Sequence, residues 1–150
     1  MIIEDKFPRV GVATILKPKV GNQVLFGKRI NSHGNNTWST PGGHLEKFES
    51  FYDCAKRELN EETGLVESVD FVYENKNPVA ITNDFFEEEK KHYITIFLEA
   101  IQISGNNAKI MEPNKCSEWV YSTWEYAKNN YNLFLPIQNL IKLDYNPFRK

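Results

Sequence analysis

The 150-residue chain predicts an α/β fold: a mixed sheet with helices on both faces. Three observations point there. Short apolar or alternating runs lie on both sides of a glutamate-rich helical segment, that segment ends in a glycine stop at Gly64, and Leu133 to Leu143 repeat apolar residues at helical spacing. At this length, 41% hydrophobic and 25% charged residues fit one core, so residues 1–150 read as a single domain.

Arg9 to Leu16 (R-V-G-V-A-T-I-L) carries apolar or small residues on both alternating faces, as a central strand covered on two sides would. Gln23 to Ile30 alternates more clearly, and Val20-Gly21-Asn22 between the two runs is a turn signal, so a hairpin is expected. Pro41-Gly42-Gly43 reads as a loop where bare backbone can approach a phosphate or offer a carbonyl to a metal. The helix that follows places Tyr52, Ala55 and Leu59 along one side and is capped by Gly64. Val69 to Tyr73 and Pro78 to Thr82 are short strand candidates. Glu87 to Lys91 is a charged hairpin tip, Tyr93 to Ile103 a long strand closed by Gly105-Asn106-Asn107. Trp119 to Tyr121 is a last short strand, Thr123 to Asn129 a helix, and Leu133 to Leu143 the final helix. No repeat, linker or low-complexity segment interrupts this order.

The chemistry concentrates between Gly43 and Leu65, where a glycine is followed by Glu49 and then by Arg57-Glu58-Leu59-Asn60-Glu61-Glu62-Thr63-Gly64-Leu65. At about 100° per residue, Glu61 lies about 60° to one side of Glu58 and Glu62 about 40° to the other, so three carboxylates share one narrow face. Helix formation does not ask for this, since like charges at i, i+4 oppose it by roughly 0.2–0.5 kcal/mol per pair. A hard divalent cation is the natural remedy. A solvated acidic face is the plain alternative. Against it, the acidic face borders the buried one, which can hold carboxylates in place while they still reach a ligand.

Every fixed position of the Nudix box, G-x5-E-x7-R-E-U-x-E-E-x-G-U with U aliphatic, is filled by these residues, and the chain is identified as a member of that family on them. The resemblance implies the Nudix α/β/α sandwich and a hydrolase that cleaves a nucleoside diphosphate linked to another group with Mg²⁺ or Mn²⁺. It assigns Glu58, Glu61 and Glu62 as metal ligands or water-activating groups, with Gly42 offering its carbonyl to a metal. Glu49 would pair with Arg57 to brace the loop against the helix, a pair that is otherwise a surface salt bridge of little worth.

Gly27-Lys28-Arg29, Pro41 to Glu46, His92 to Ile96, Met111 to Trp119 and Tyr145 to Phe148 further resemble the MutT-type nucleoside triphosphate diphosphatases. The similar branch is the one that includes the human thiopurine-nucleotide diphosphatase and the plant cytosolic enzymes. It implies that Arg29 and His44 lie along a triphosphate, with Gly43 beside it. Thr95 and Phe134 would line the base pocket, and Glu112, or else Glu118, would supply a further metal carboxylate. Each has an ordinary alternative: surface arginine, local histidine partner, core phenylalanine, solvated acid. Ser39-Thr40 replaces the branch's usual apolar residue before Pro-Gly-Gly, so the Thr40 hydroxyl is a candidate for a base edge or a loop cap. Ala80, Ile81 and Thr82 stand where ADP-ribose and dinucleoside polyphosphate hydrolases carry their proline or tyrosine, and the S-Q-P-W-P-F-P run of NADH hydrolases is missing. The implied reaction is hydrolysis of a purine nucleoside triphosphate, ordinary, oxidised or otherwise modified, to monophosphate and pyrophosphate. Another diphosphate substrate or a non-catalytic nucleotide sensor are the alternatives.

A net charge of −2 leaves no electrostatic footprint for duplex nucleic acid or an anionic membrane. Cys54 and Cys116 fall in no metal-ligand or C-x-x-C spacing and read as packed thiols in a reducing compartment. Met1 to Pro8 is too short and acidic for a signal peptide, and Ile94 to Ile103 is interrupted by Glu99 and Gln102, so a cytoplasmic protein without membrane contact is expected. Phe85-Phe86 and Trp124 are candidates for a homodimer interface.

Overall fold

The computed structural model describes residues 6–149, so the expectation placed on the first five residues lies outside it. In chain order the elements are β1 (Arg9–Pro18), β2 (Gln23–Arg29), β3 (Trp38–Ser39), β4 (Gly42–His44), α1 (Phe51–Thr63), β5 (Phe71–Val72), β6 (Ala80–Phe86), β7 (Lys91–Gln102), β8 (Cys116–Thr123), α2 (Trp124–Asn130) and α3 (Leu135–Lys142). The mixed α/β architecture is the predicted one.

β1 and β2 do not form the expected hairpin. β1 lies between β4, antiparallel, and β7, parallel from Arg9↔Tyr93 to Pro18↔Gln102. β2 belongs to a second sheet, between β3 and β8. The reason is burial: β1 has apolar side chains on both faces, and only a central position covers both. Val12 and Leu16 point to one side with Cys54, Ala55 and Leu59 of α1, whereas Ala13 and Ile15 point to the other with Trp124, Ile137 and Leu140 of α2 and α3. β7 divides the same way, Ile96 and Leu98 toward α1, Phe97 toward α3.

Several bounds differ from the sequence expectation. β6 runs on through Phe86 and pairs with β7 as far as Phe86↔Lys91, so the charged tip is a tight turn with Lys90 at positive φ. β8 starts at Cys116 rather than Trp119, and the Pro-Gly-Gly loop is in part a strand, with Gly42, Gly43 and His44 paired to Ala13, Val12 and Gly11. Trp124 is a core residue, 5% exposed, and drops out of the interface candidates; Phe85 stays exposed. No helix among the described residues is long and apolar enough to cross a membrane.

Candidate active site

Helix α1 begins at Ser50, whose hydroxyl accepts the Asp53 N–H, and ends at Gly64, which adopts φ 75° and returns its N–H to the Asn60 carbonyl. Those caps fix which face carries the acids. Along that face exposure is graded: the Glu58 side chain is 15% exposed and Glu61 51%, with Glu62 half-buried between the helix and β4.

Each carboxylate is held differently. Glu62 Oε2 accepts the Gly42 N–H at 3.1 Å. Glu58 Oε1 takes Arg57 Nη1 at 2.8 Å, and the same nitrogen reaches Glu61 Oε2 at 3.4 Å. Arg57 also forks onto Glu49, Nε to Oε2 at 2.8 Å and Nη2 to Oε1 at 2.9 Å, and donates from Nη2 to the His44 carbonyl at 3.2 Å. One guanidinium thus ties the helix, the loop before it and β4 together, a bidentate pairing rather than a loose surface contact. It holds the Glu49 carboxyl down at about 2. Burial pushes the Glu58 carboxyl up despite the Arg57 hydrogen bond; burial, then the Glu58 charge, raises Glu62 well above the usual range.

Gly43 makes this packing possible. A Cβ built there would lie 2.2 Å from Glu58 Cδ and 2.3 Å from its Oε2, so only glycine lets the carboxylate lie against β4.

These acids line one wall of a cleft of about 640 Å³, shared with Glu112 and with Lys28, Arg29, Lys91 and Lys115. Lys28 and Arg29 both reach it because the β2–β8 register shifts between Gly27 and Arg29, a bulge that turns the strand end. The floor is Gly11 and Ala13 of β1 beside Thr95 and Phe97 of β7, paired in register.

The far end is aromatic. His33 packs edge-on to Phe86 and Phe134, at centroid distances of 4.0 and 5.4 Å, and stacks on Tyr93 at 5.6 Å. Tyr93 in turn stacks on His44 at 5.6 Å and its hydroxyl meets His44 Nε2 at 3.1 Å. His44 is exposed overall, yet desolvation of its ring and the nearby cations Arg9, Arg29 and Lys91 lower its pKa. Phe134 is placed by its N–H to the Trp38 carbonyl and by its position as N-cap of α3. The Arg29 guanidinium lies 4.1 Å above that ring, and its Nε donates to the His33 carbonyl at 2.8 Å.

The structure therefore gathers Arg29, Thr40, Gly42, Gly43, His44, Arg57, Glu58, Glu61, Glu62, Thr95, Glu112 and Phe134 around one cleft, with Glu49 behind Arg57 and Gly64 at the end of α1. Glu118, the alternative to Glu112, is exposed on β8 and is not part of the wall. The Arg57 guanidinium is committed to Glu49, Glu58 and the His44 carbonyl. Phe134 offers less free wall than expected, because Arg29 covers one face of its ring. The Thr40 hydroxyl is buried with no partner among the described residues. Cys54 is fully buried, whereas Cys116 is a half-buried cleft residue and not a packed thiol, because β8 begins there.

His33, Asp84 and Tyr93 carry no role in the sequence reading, and Phe86, an interface candidate there, lines the aromatic end of the cleft. The one local signal for His33 is its setting between Asn31, Gly34 and Asn36, which all adopt positive φ and wrap the loop tightly over the aromatic end.

The carboxylate oxygens and backbone of this wall are the donor set a hard divalent cation takes. They do not converge as they stand: no group of three or more His, Cys, Asp or Glu among the described residues is arranged to hold a metal ion. Arg57 holds Glu58 and Glu61 and the Gly42 N–H holds Glu62, so convergence needs these carboxylates to leave their present partners.

The chain matches the NUDIX domain over residues 5–137. It belongs to the NUDIX domain family. Hydrolases of this family generally use divalent metal cations. Among curated proteins it is 34% identical over 98 residues to the m7GpppN-mRNA hydrolase NUDT17 of Danio rerio, covering 59% of this chain and 31% of that one. It is 46% identical over 68 residues to an RNA pyrophosphohydrolase of Ectopseudomonas mendocina, covering 45% and 39%. The chain thus spans well under half the length of these relatives. The fold matches that of a MutT NUDIX hydrolase from Burkholderia pseudomallei, with a TM-score of 0.71 at 20% identity over 93% of this chain and 98% of that one.

Proposed function

We propose that this NUDIX protein hydrolyses a phosphoanhydride bond in a nucleoside triphosphate, giving the monophosphate and pyrophosphate, with Mg²⁺ or Mn²⁺. The observation that carries this is the meeting, in one cleft, of the α1 carboxylates, a cation-lined middle and an aromatic end. That sequence of chemistries suits a metal, a phosphate chain and a base in turn. Glu58, Glu61, Glu62, the Gly42 carbonyl and Glu112 would hold the cation. A bound divalent cation would neutralise charge on the phosphates and lower the pKa of a water. Arg29, Lys28 and Lys91 orient the phosphate chain, the arginine as a fork. Glu58 or Glu61 takes the proton of the attacking water, and Arg57, anchored by Glu49, holds Glu58 in its resting position until it turns to the cleft. A purine, ordinary or oxidised, fits the aromatic end.

A second reading has support of its own: two relatives are named for RNA ends, the m7GpppN-mRNA hydrolase and the RNA pyrophosphohydrolase. A homodimer through the exposed Phe85 belongs with these proposals, and a gel-filtration mass of one chain would end it.

The test is an Mg²⁺-dependent screen of canonical and oxidised nucleoside triphosphates, nucleotide sugars, capped RNA and 5′-triphosphorylated RNA, reading phosphate and pyrophosphate release separately. Pyrophosphate from a purine triphosphate, lost in Glu62→Gln with the fold intact, is the expected result. Release from RNA alone would move the assignment to RNA ends. Turnover at wild-type rates in both Glu61→Gln and Glu62→Gln would overturn the metal assignment, and binding without turnover would make the protein a sensor.

A further inference from the structure

We propose that Asp84 sets the hydrogen-bond polarity of the base end of the cleft, so that the nucleobase is taken through an N–H donor. This deepens the nucleotide reading above and rests on it.

Asp84 lies on β6, wholly buried. Three donors converge on it: Thr82 Oγ1 at 3.1 Å and Thr95 Oγ1 at 2.6 Å on Oδ2, and Asn139 Nδ2 at 2.9 Å on Oδ1. A carboxylate of this kind accepts only, and a threonine hydroxyl has a single proton. The Thr95 proton is therefore committed to Asp84, away from the cleft. What Thr95 can offer a ligand is lone pairs.

Thr95 has room to offer them. Its partner in the parallel β1–β7 register is Gly11, and both line the cleft floor. A Cβ at Gly11 would lie 3.9 Å from Thr95 Oγ1, so the missing side chain leaves that oxygen clear. Tyr93, two residues earlier on the same strand and so on the same face, belongs to the aromatic end.

A second group repeats the pattern. His33 Nδ1 is hydrogen-bonded to Glu89, in the turn that joins β6 to β7, and its Nε2 is buried with no partner among the described residues. In a neutral ring the Nδ1 proton faces the carboxylate, which leaves Nε2 a bare acceptor. Two carboxylates of one hairpin thus hold the protons of Thr95 and His33, and because His33 Nε2 is enclosed, the acceptor a ligand meets is Thr95 Oγ1. A ligand edge of acceptors would meet lone pair against lone pair, whereas an amide N–H or exocyclic amine would meet its complement.

Asp84 also ties α3 to the sheet through Asn139, so the test must read selectivity and not stability alone. In Asp84→Asn, the new carbonyl can keep the Asn139 N–H, and the new NH₂ faces Thr82 and Thr95, which must then accept. The Thr95 proton turns into the cleft and the polarity reverses. Thr95→Val keeps the shape and removes the polarity.

The experiment is kcat/KM for adenosine and inosine triphosphates, whose bases carry opposite donors and acceptors at both the ring N1 and the 6-position. Whichever position meets Thr95, the wild-type ratio should depart from one by on the order of tenfold, the scale of one mispaired buried hydrogen bond. It should invert in Asp84→Asn and fall toward one in Thr95→Val. Should Asp84→Asn fail to fold, the Thr95→Val ratio decides alone. A ratio unchanged in the folded variants overturns the proposal and leaves Asp84 a fastening for α3. If nothing is turned over, the same ratio is read as Kd for the two triphosphates. Binding with an unchanged ratio refutes the polarity alone; no binding at all refutes the nucleotide reading, and the proposal with it.

Discussion

Replacing Glu49 by Gln removes the charge from the fork that Arg57 places on it, and the size of the effect follows from the carboxyl's position. Arg57 Nε and Nη2 meet the two Glu49 oxygens at 2.8 and 2.9 Å, and this holds the group at about 2 against an ordinary 4.5. At about 1.4 kcal/mol per pKa unit, that corresponds to roughly 3 kcal/mol as an upper value. Arg57 also serves Glu58 and Glu61, so about half of it is a fairer expectation once the guanidinium re-pairs. The sign is that of a depressed carboxyl. Its contribution is complete above the unfolded value of 4.5 and is lost as pH falls through that value toward 2. Thermal unfolding of wild type and Glu49→Gln from pH 8 to pH 3 reads this directly. The variant should melt lower by about 3–12 °C at pH 7, at about 2–4 °C per kcal/mol for a domain of this size. The gap should shrink by more than about half by pH 3. A gap of the same size at pH 3 and pH 7 would refute the argument, since a packing loss has no such pH dependence.

Two further perturbations test the surroundings. Gly43→Ala puts a methyl 2.2 Å from Glu58 Cδ, so the carboxylate must swing away. Circular dichroism should stay native while turnover falls about 10²-fold, the cost of displacing a reacting group by an ångström, and full activity would mean that Glu58 need not lie against β4. Burial pushes the Cys54 thiol up to about 12, and the residue is fully buried, so a thiol reagent at pH 8 should leave it unmodified in the native protein and reach it on unfolding. Rapid native modification at Cys54, located by mass spectrometry, would show that the loop before α1 opens.

Helix α1 was legible because its signals are local. Ser50, the glutamate spacing and Gly64 all act within one or two turns, and the Arg57 to Glu49 fork spans eight residues. The partners of β1 were not legible, since β7 lies about eighty residues away and the Val20-Gly21-Asn22 turn suggests a neighbour much nearer. β3 and β4 hold two and three residues, and a Gly-Gly pair carries no periodicity to read. Asp84 was hidden for a related reason. In sequence it is one polar residue before Phe85-Phe86, and only the pairing of Thr82 with Thr95 and the return of Asn139 on α3 enclose it.

The acids of α1 stand in a balance that the fold alone leaves unfavourable. Burial and mutual repulsion raise Glu58 and Glu62, and a single guanidinium, already committed to Glu49, is shared between Glu58 and Glu61. A helix selected only for stability would replace such a face with apolar or neutral residues at little cost. Glu49 matters here because it saturates Arg57. With its Nε and Nη2 engaged, the guanidinium cannot follow Glu58 if that carboxylate turns toward the cleft, so the 2.8 Å contact to Glu58 is the one that gives way. Arg57 thus neutralises the acids in their resting positions and still lets them go, an arrangement that fits carboxylates meant to be handed to another cation.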